Sequence, residues 1–347
     1  MRIQMPLANH AYDILLDHKA ILQLPDEIRN FHKGDKIYII TDRNVDRLHH
    51  HLIQGILKDF SLNFVVVEPG ESSKSFQVYE SVIDQLIQHG MKRTDLLIAF
   101  GGGVIGDLGG FVASTLYRGV PYIQIPTTLL AQVDSSVGGK TAINSSKGKN
   151  MVGTFYQPKL VIIDPDFLKT LPDFEYKNGM AEVIKSAYIG DVVLQDKLLK
   201  GQIRTLEMIE RSILVKKNVV LVDEFDLNER MYLNFGHTFG HALEKQSNYE
   251  IAHGYAVAEG MLMAIHIGER LGITPKTIFK SLKLLLEKYD LGLLNTNPVP
   301  LIDDIFYDKK NTHGQLKMVF LSDIGKPMIQ PITKEVLYEC YHSQTSK

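Results

Sequence analysis

Five short runs rich in β-branched and aliphatic residues, each bounded by turn formers, fall in the first half of the chain: residues 36–41 (KIYIIT), 63–67 (NFVVV), 95–100 (DLLIAF), 122–125 (YIQI) and 160–164 (LVIID). Helical patterns lie between them near residues 45–58, 76–88 and 106–117. Repeated strand–helix–strand order admits few folds. Parallel neighbours need a long connection, usually a helix, so the pattern predicts an α/β sheet of parallel strands with crossover helices. Residues 1–5 and 11–17 read as a hairpin on the edge of that sheet.

After Pro172 the pattern changes. Mainly amphipathic helices are expected to about Lys288, then a strand at 316–321 (LKMVFL) and a last helix from about Thr333. The expected division is a nucleotide-binding α/β domain over residues 1–170 and a mainly α-helical domain over 171–347, with the site in a cleft between them.

Charge and cysteine content exclude several functions. Lys plus Arg is 38 and Asp plus Glu is 40, so no global field draws the chain to nucleic acid or an anionic membrane. Cys340 is the single cysteine, which rules out an internal disulfide and a cysteine-built metal site. Any metal must be held by histidines and carboxylates. No apolar run suits a signal peptide or a membrane span, so a soluble cytoplasmic protein is expected.

The run 95–100 leads into Gly101-Gly102-Gly103-Val104-Ile105-Gly106-Asp107. Gly101, Gly103 and Gly106 have the spacing that lets a backbone approach a pyrophosphate at a helix N-terminus. A tight strand-to-helix turn would look the same. No acidic residue stands about 20 positions downstream to hold a ribose. Asp42, Asn44 and Glu71 (in Pro69-Gly70-Glu71-Ser72-Ser73-Lys74) are placed at the same carboxyl edge of the sheet and would have to serve instead. A GKT at 139–141 resembles a nucleoside-triphosphate loop, but Asp134 stands where that motif needs glycine. What remains is a loop to Asn150 carrying Lys140, Lys147 and Lys149.

His237 and His241 stand four residues apart, and stepping back through Asn234 and Arg230 extends one polar stripe along a single helix. Its neighbours Leu233, Phe235, Phe239 and Ala242 are apolar, which favours a partly buried, functional stripe over a solvated one. A catalytic zinc takes three protein ligands and keeps an open position. His253, opening the next helix, is a further imidazole, and Glu182 in MAEVIK offers a carboxylate with Lys185 on the same face. A glutamate in such a run most often lies at the surface. Spacing alone leaves open which imidazoles bind the ion.

Taken together, the chain resembles the 3-dehydroquinate synthase family, within the sugar-phosphate cyclases. The resemblance rests on PGExxK at 69–74, GGGVIGDLGGFVAST at 101–115, RG at 118–119 and IPTTLLAQVDSSVGGKTAIN at 125–144. It continues through GKNMVGTFYQP at 148–158, MAEVIK at 180–185, NFGHTFGHALE at 234–244 and HGYAVAEGM at 253–261. It implies that Glu182, His237 and His253 bind zinc, for which cobalt may substitute, while His241 is an active-site residue and not a ligand. NAD is implied to contact Asp42, the segment Pro69, Gly70, Glu71, Ser72, Ser73 and Lys74, then Gly103, Val104, Ile105, Gly106 and Asp107. Thr127, Thr128, Lys140, Lys149, Phe167, Leu168, Lys169 and Thr170 complete that set. Substrate handling falls to Arg118, Asp134, Lys140, Asn150, Lys185, Lys216, Arg230, Asn234 and His241, joined by Lys309 or Lys310.

The implied reaction belongs to the shikimate pathway of aromatic amino-acid biosynthesis. NAD oxidises carbon 5 of 3-deoxy-D-arabino-heptulosonate 7-phosphate, phosphate is eliminated, the hydride returns, and an internal aldol step closes the carbocycle. Homodimers are usual in the family. Related readings are another sugar-phosphate cyclase, a metal-dependent polyol dehydrogenase that would release NADH, and a catalytically dead nucleotide-binding regulator. Asp107 and the intact VDSSVGGK favour the dehydroquinate branch. The run 223–230 departs from the family by lacking the glycine and apolar residue that often precede the arginine.

Overall fold

A computed structural model describes residues 1–8, 10–292, 297–307 and 315–342. The chain divides into two units, Met1–Tyr176 and Lys177–Lys347.

In the first unit, β1 (Arg2–Met5) and β2 (Tyr12–Leu16) form the expected edge hairpin. Helix α1 (Leu24–Phe31), β3 (Lys36–Asp42), α2 (Arg43–Ile56), β4 (Ser61–Val67) and α3 (Phe76–Gln88) follow. Next come β5 (Leu96–Gly101), α4 (Gly103–Thr115) and β6 (Tyr122–Pro126). An antiparallel pair, β7 (Lys140–Ser145) and β8 (Gly148–Phe155), precedes β9 (Leu160–Ile163). The main sheet has the order β1-β2-β9-β6-β5-β3-β4 and is parallel apart from β1.

Strands β3 and β5 are unbroken apolar runs because both faces of the sheet are covered. On one face Ile37, Ile39, Ile98 and Ile123 pack with Ile28 of α1 and Ile53 of α2. On the other, Tyr38, Ile40, Leu97 and Tyr122 meet Leu86 of α3 and Leu108 of α4. Each fully buried aliphatic side chain contributes roughly 1.5–3 kcal/mol. The chain leaves β3 through α2 on the first face to reach β4, returns through α3 to β5, and leaves β5 through α4 on the second face. The adjacent carboxyl ends of β3 and β5 therefore form a topological switch point, where open α/β sheets bind ligands.

Two expectations need correction here. Helix α4 begins at Gly103 and not at Gly106, so Gly103 and Gly106 belong to its first turns. The lysine-bearing segment to Asn150 is the hairpin β7–β8, paired from Lys140↔Phe155 to Ser145↔Gly148, because its apolar residues Ala142 and Ile143 are buried.

Helix α5 (Asp173–Gly190) starts in the last residues of the first unit and runs into the second, which holds α6 (Val192–Lys200), α7 (Thr205–Val222), α8 (His237–Gln246), α9 (His253–Arg270), α10 (Lys276–Lys288) and α11 (Val299–Tyr307). A hairpin, β10 (Gln315–Asp323) with β11 (Lys326–Thr333), and α12 (Lys334–His342) end it. The strand expected at 316–321 is present, and its partner β11 was missed because proline and lysine interrupt its apolar pattern. Phe239, Leu243, Met263, Met318, Phe320 and Leu337 share one core with Cys340.

Candidate active site

At the switch point of the first unit, Asp42 ends β3 and caps α2. Its Oδ1 accepts the backbone N–H of Asn44 at 2.9 Å and of Val45 at 3.1 Å. One strand away, Gly102 precedes α4 and supplies no side-chain cap, so the N–H groups of the first turn, from Gly103 towards Asp107, present a positive dipole end. Thr127 stands beside this turn, its N–H bonded to Gly101 O at 3.0 Å, and Thr128 Oγ1 accepts from Ala131 N at 3.2 Å.

The segment Pro69–Lys74 is tied to the same place by a buried lysine. Gly70 takes φ +102°, and Glu71–Ser73 form a short turn in which the Ser73 hydroxyl donates to Glu68 O. Lys74 is 4% exposed, and its Nζ donates to Asp107 Oδ2 at 2.7 Å and to Asn150 Oδ1. Burial disfavours its charge, but Asp107 and Glu71 reverse this and raise the ammonium pKa above its ordinary value. Asn144 closes the network. Its Nδ2 donates to Glu71 Oε1 and its N–H to Lys74 O, both at 2.7 Å, while its Oδ1 accepts Asn150 N at 2.8 Å.

The turn Pro165–Thr170 follows β9, with Phe167 buried beside Phe100 and His49. Thr170 Oγ1 lies 3.1 Å from His49 Nε2, and Lys169 pairs with Asp166 at 2.7 Å. Asp134 sits in the π-helical turn Ala131–Ser135, and Lys140 and Lys149 lie on β7 and β8. Arg118 is placed differently. It precedes β6 at φ +62°, whereas Thr127 and Thr128 follow that strand, so the strand's length of ~17 Å separates them.

The second unit assembles the histidines. The stripe expected on one helix does not exist as such. Arg230 and Asn234 lie in a separate turn, Glu229–Asn234, and α8 starts only at His237. Gly236 breaks the run at φ +82°, and a Cβ there would lie 2.6 Å from Met261 Cγ. A Cβ on Gly260 would meet Gly236 O at 2.0 Å, so two glycines let α8 start directly against α9. Arg230 is buried, with Nη1 donating to Glu224 O, and Asp223 holds its loop through the N–H groups of Leu227, Asn228 and Arg230. An acidic residue thus organises the run that departs from the family pattern. Lys216 is buried on α7.

Glu182 is not at the surface. It is 1% exposed on α5, with the Lys185 ammonium against its Oε2. His237 Nε2 and His253 Nε2 each stand 3.6 Å from Glu182 Oε1. That is too long for a hydrogen bond. It is close to the ~3.3 Å that separates ligand atoms placed ~2.0–2.1 Å from one tetrahedral ion. Glu182 Oε1, the oxygen turned away from Lys185, is buried without a hydrogen bond, an arrangement a cation would satisfy. The far ring nitrogens are occupied: His237 Nδ1 lies 3.2 Å from Phe235 O, and His253 Nδ1 lies 3.2 Å from Glu244 Oε2. Each contact leaves Nε2 as the nitrogen available to an ion beside Glu182.

The electrostatics of Glu182 and His237 agree. Burial opposes the charge on Glu182, yet Lys185 and the two imidazoles hold its carboxyl well below the usual range. Burial and Lys185 push His237 well below its ordinary value, keeping it neutral. Burial would also lower His253, but Glu182 and Glu244 raise it to about 9. Without an ion the ring is therefore cationic between the two carboxylates, and an ion would take the place of its Nε2 proton.

A second group able to hold an ion, His241, Glu244 and His253, shares His253 with the first. His241 is exposed, its ring 5.3 Å from that of His237, and with Asn234 and His237 it lines a cavity of about 290 Å³ that also reaches Lys245, Asp304 and Lys317. Lys309 and Lys310 lie outside the described residues. Asn144, Asn178 and Glu244 were not singled out from the sequence, although Asn144 and Glu244 end two of the quoted motifs.

Residues 64–178 match the 3-dehydroquinate synthase N-terminal family model, and residues 179–311 the C-terminal one. A 3-dehydroquinate synthase of Clostridium botulinum is 43% identical over 335 residues, covering 93% of this chain and 96% of that protein. The chain belongs to the 3-dehydroquinate synthase family. Solved structures of related cyclases share its fold. A 2-deoxy-scyllo-inosose synthase complexed with carbaglucose-6-phosphate, NAD+ and Co2+ has TM-score 0.87 and 26% identity over 99% of both chains. A 2-epi-5-epi-valiolone synthase from Streptomyces hygroscopicus with NAD+ and Zn2+ has TM-score 0.86 and 25% identity over 97% of both. The 3-dehydroquinate synthase family thus accounts for an α/β unit and a helical unit in one enzyme. No helix among the described residues is long and apolar enough to cross a membrane.

Proposed function

We propose that the chain converts 3-deoxy-D-arabino-heptulosonate 7-phosphate to 3-dehydroquinate and phosphate with NAD and zinc bound, cobalt serving in place of zinc. The observation that carries this reading is the approach of His237 Nε2 and His253 Nε2 to the same oxygen of Glu182. The 43% identity to a curated synthase, against 26% for the inosose synthase structure, supports the heptulosonate as substrate.

Glu182, His237 and His253 would hold the ion, and the α4 N-terminus with Asp42, Thr127 and the Lys74 network would hold the dinucleotide. When bound, NAD supplies a reversible hydride acceptor and the divalent ion supplies Lewis acidity. Lys185 places a positive charge beside Glu182 and favours an ionised substrate hydroxyl in its vicinity. His241 faces the cavity next to His237 and passes substrate protons through its imidazole, with Asp134 orienting a water. Lys140, Lys149, Lys216 and Arg230 grip the carboxylate and phosphate by charge-assisted hydrogen bonds, and Asn150 and Asn234 hold hydroxyls; Arg118, at the opposite end of β6, is not part of this set. A cytoplasmic homodimer is part of the same reading, and sedimentation of the purified chain tests its assembly.

The deciding experiment follows phosphate release from the heptulosonate phosphate with NAD and zinc, together with absorbance at the NADH wavelength. Phosphate without lasting NADH is the expected result. Stoichiometric NADH, or no phosphate, overturns the reading.

A further inference from the structure

Two groups of side chains have the spacing to hold an ion, and they share His253. Only one nitrogen of an imidazole faces a given ion, so the ring's tautomer decides between them. Glu244, on α8 two turns after His237, carries a carboxylate that is 3% exposed, with Oε2 3.2 Å from His253 Nδ1. An ionised carboxylate only accepts hydrogen bonds, so Nδ1 must carry the proton. Nε2 is then the nitrogen left for an ion, and it faces Glu182 Oε1 at 3.6 Å. An ion held by His241, Glu244 and His253 Nδ1 would remove that contact. It would also leave the buried Glu182 Oε1 without a partner, while Oε2 stays against Lys185.

We propose that Glu244 is a positioning residue for the metal site: by accepting the Nδ1 hydrogen of His253 it directs Nε2 to the ion and selects Glu182, His237 and His253 over the competing group. The inference rests on the metal-site reading above. It assigns Glu244 to the ring and not to the ion.

The test titrates Co2+ into the metal-free full-length protein, following its visible absorption and its competition with a chelator. Relative to wild type, E244Q keeps an acceptor but loses the charge and should bind about 10-fold more weakly, and E244A about 100-fold. The cobalt band shape should be preserved in E244Q. In an H253A background, adding E244A should change affinity less than about 2-fold, because Glu244 acts through that ring. Thermal melting of the metal-free proteins reports folding, and if E244A does not fold, E244Q and the E244Q/H253A pair carry the comparison. Wild-type affinity in the Glu244 variants overturns the proposal, as does a further loss of 10-fold or more in the H253A background, which would make Glu244 a ligand. Wild-type affinity in H253A itself would instead overturn the reading of which residues hold the metal.

Discussion

Asn178 Oδ1 accepts the backbone N–H of Gly254 at 2.6 Å, so the helix that carries Glu182 also caps the helix that carries His253. Ala252 precedes α9 without a side-chain cap of its own, and Asn178 on α5 supplies the missing acceptor. Glu182 lies one turn further along the same face of α5. One contact therefore sets both the start of α9 and the distance between two of the candidate ligands.

Replacing Asn178 with Ala should cost about 1 kcal/mol of stability, the usual worth of an N-cap. N178D should retain most of it. Denaturant unfolding of the metal-free protein checks this, and an N178A midpoint equal to wild type would show that the cap contributes nothing.

H253A should lose bound metal after gel filtration, whereas H241A should retain it and turn over more slowly, by roughly 100-fold if the imidazole relays protons. Metal content by atomic emission, read beside phosphate release, separates the two. Equal metal loss in both variants would favour the competing group that contains His241.

Lys74 joins the 69–74 segment, α4 and the β7–β8 hairpin through Asp107, Glu71 and Asn150. K74M should destabilise the protein by roughly 2 kcal/mol, since a charged hydrogen bond is lost and Asp107 is left facing an apolar group. It should also weaken NAD binding, measurable by calorimetry, and speed amide exchange in β7 and β8. Unchanged exchange there would mean that the hairpin holds without this anchor.

Asp223 gives a pH dependence of known sign. Burial opposes its charge, but the N–H groups of Asn228, Leu227 and Arg230, and then the Arg230 charge, lower its pKa below the ordinary 3.8. Its contribution is therefore complete above about pH 3.8 and is lost as pH falls through the lower folded value. D223N should be less stable than wild type by about 1 kcal/mol at pH 7. The gap should shrink in acid, and a gap constant from pH 7 to pH 2 would contradict the mechanism.

The sequence by itself determined the local elements and the family. Strands β3, β5, β6 and β9 were legible because residues buried on both faces leave short unbroken apolar runs between turn formers, and the ordered motifs identified the chemistry. The helix across residues 230–241 was misread because side-chain periodicity continues through Gly236, where the backbone does not. The Glu182 environment was hidden for a different reason. Burial of one carboxylate depends on what packs over it, and His237 and His253 come from distant stretches of chain.

Tertiary structure alone decided the order of the sheet, which makes the ends of β3 and β5 a switch point, and the hydrogen bonds that orient each imidazole. Both follow from packing between segments remote in sequence. No local spacing encodes which nitrogen of His253 meets Glu244 and which meets Glu182; only the placement of α5, α8 and α9 around that ring does.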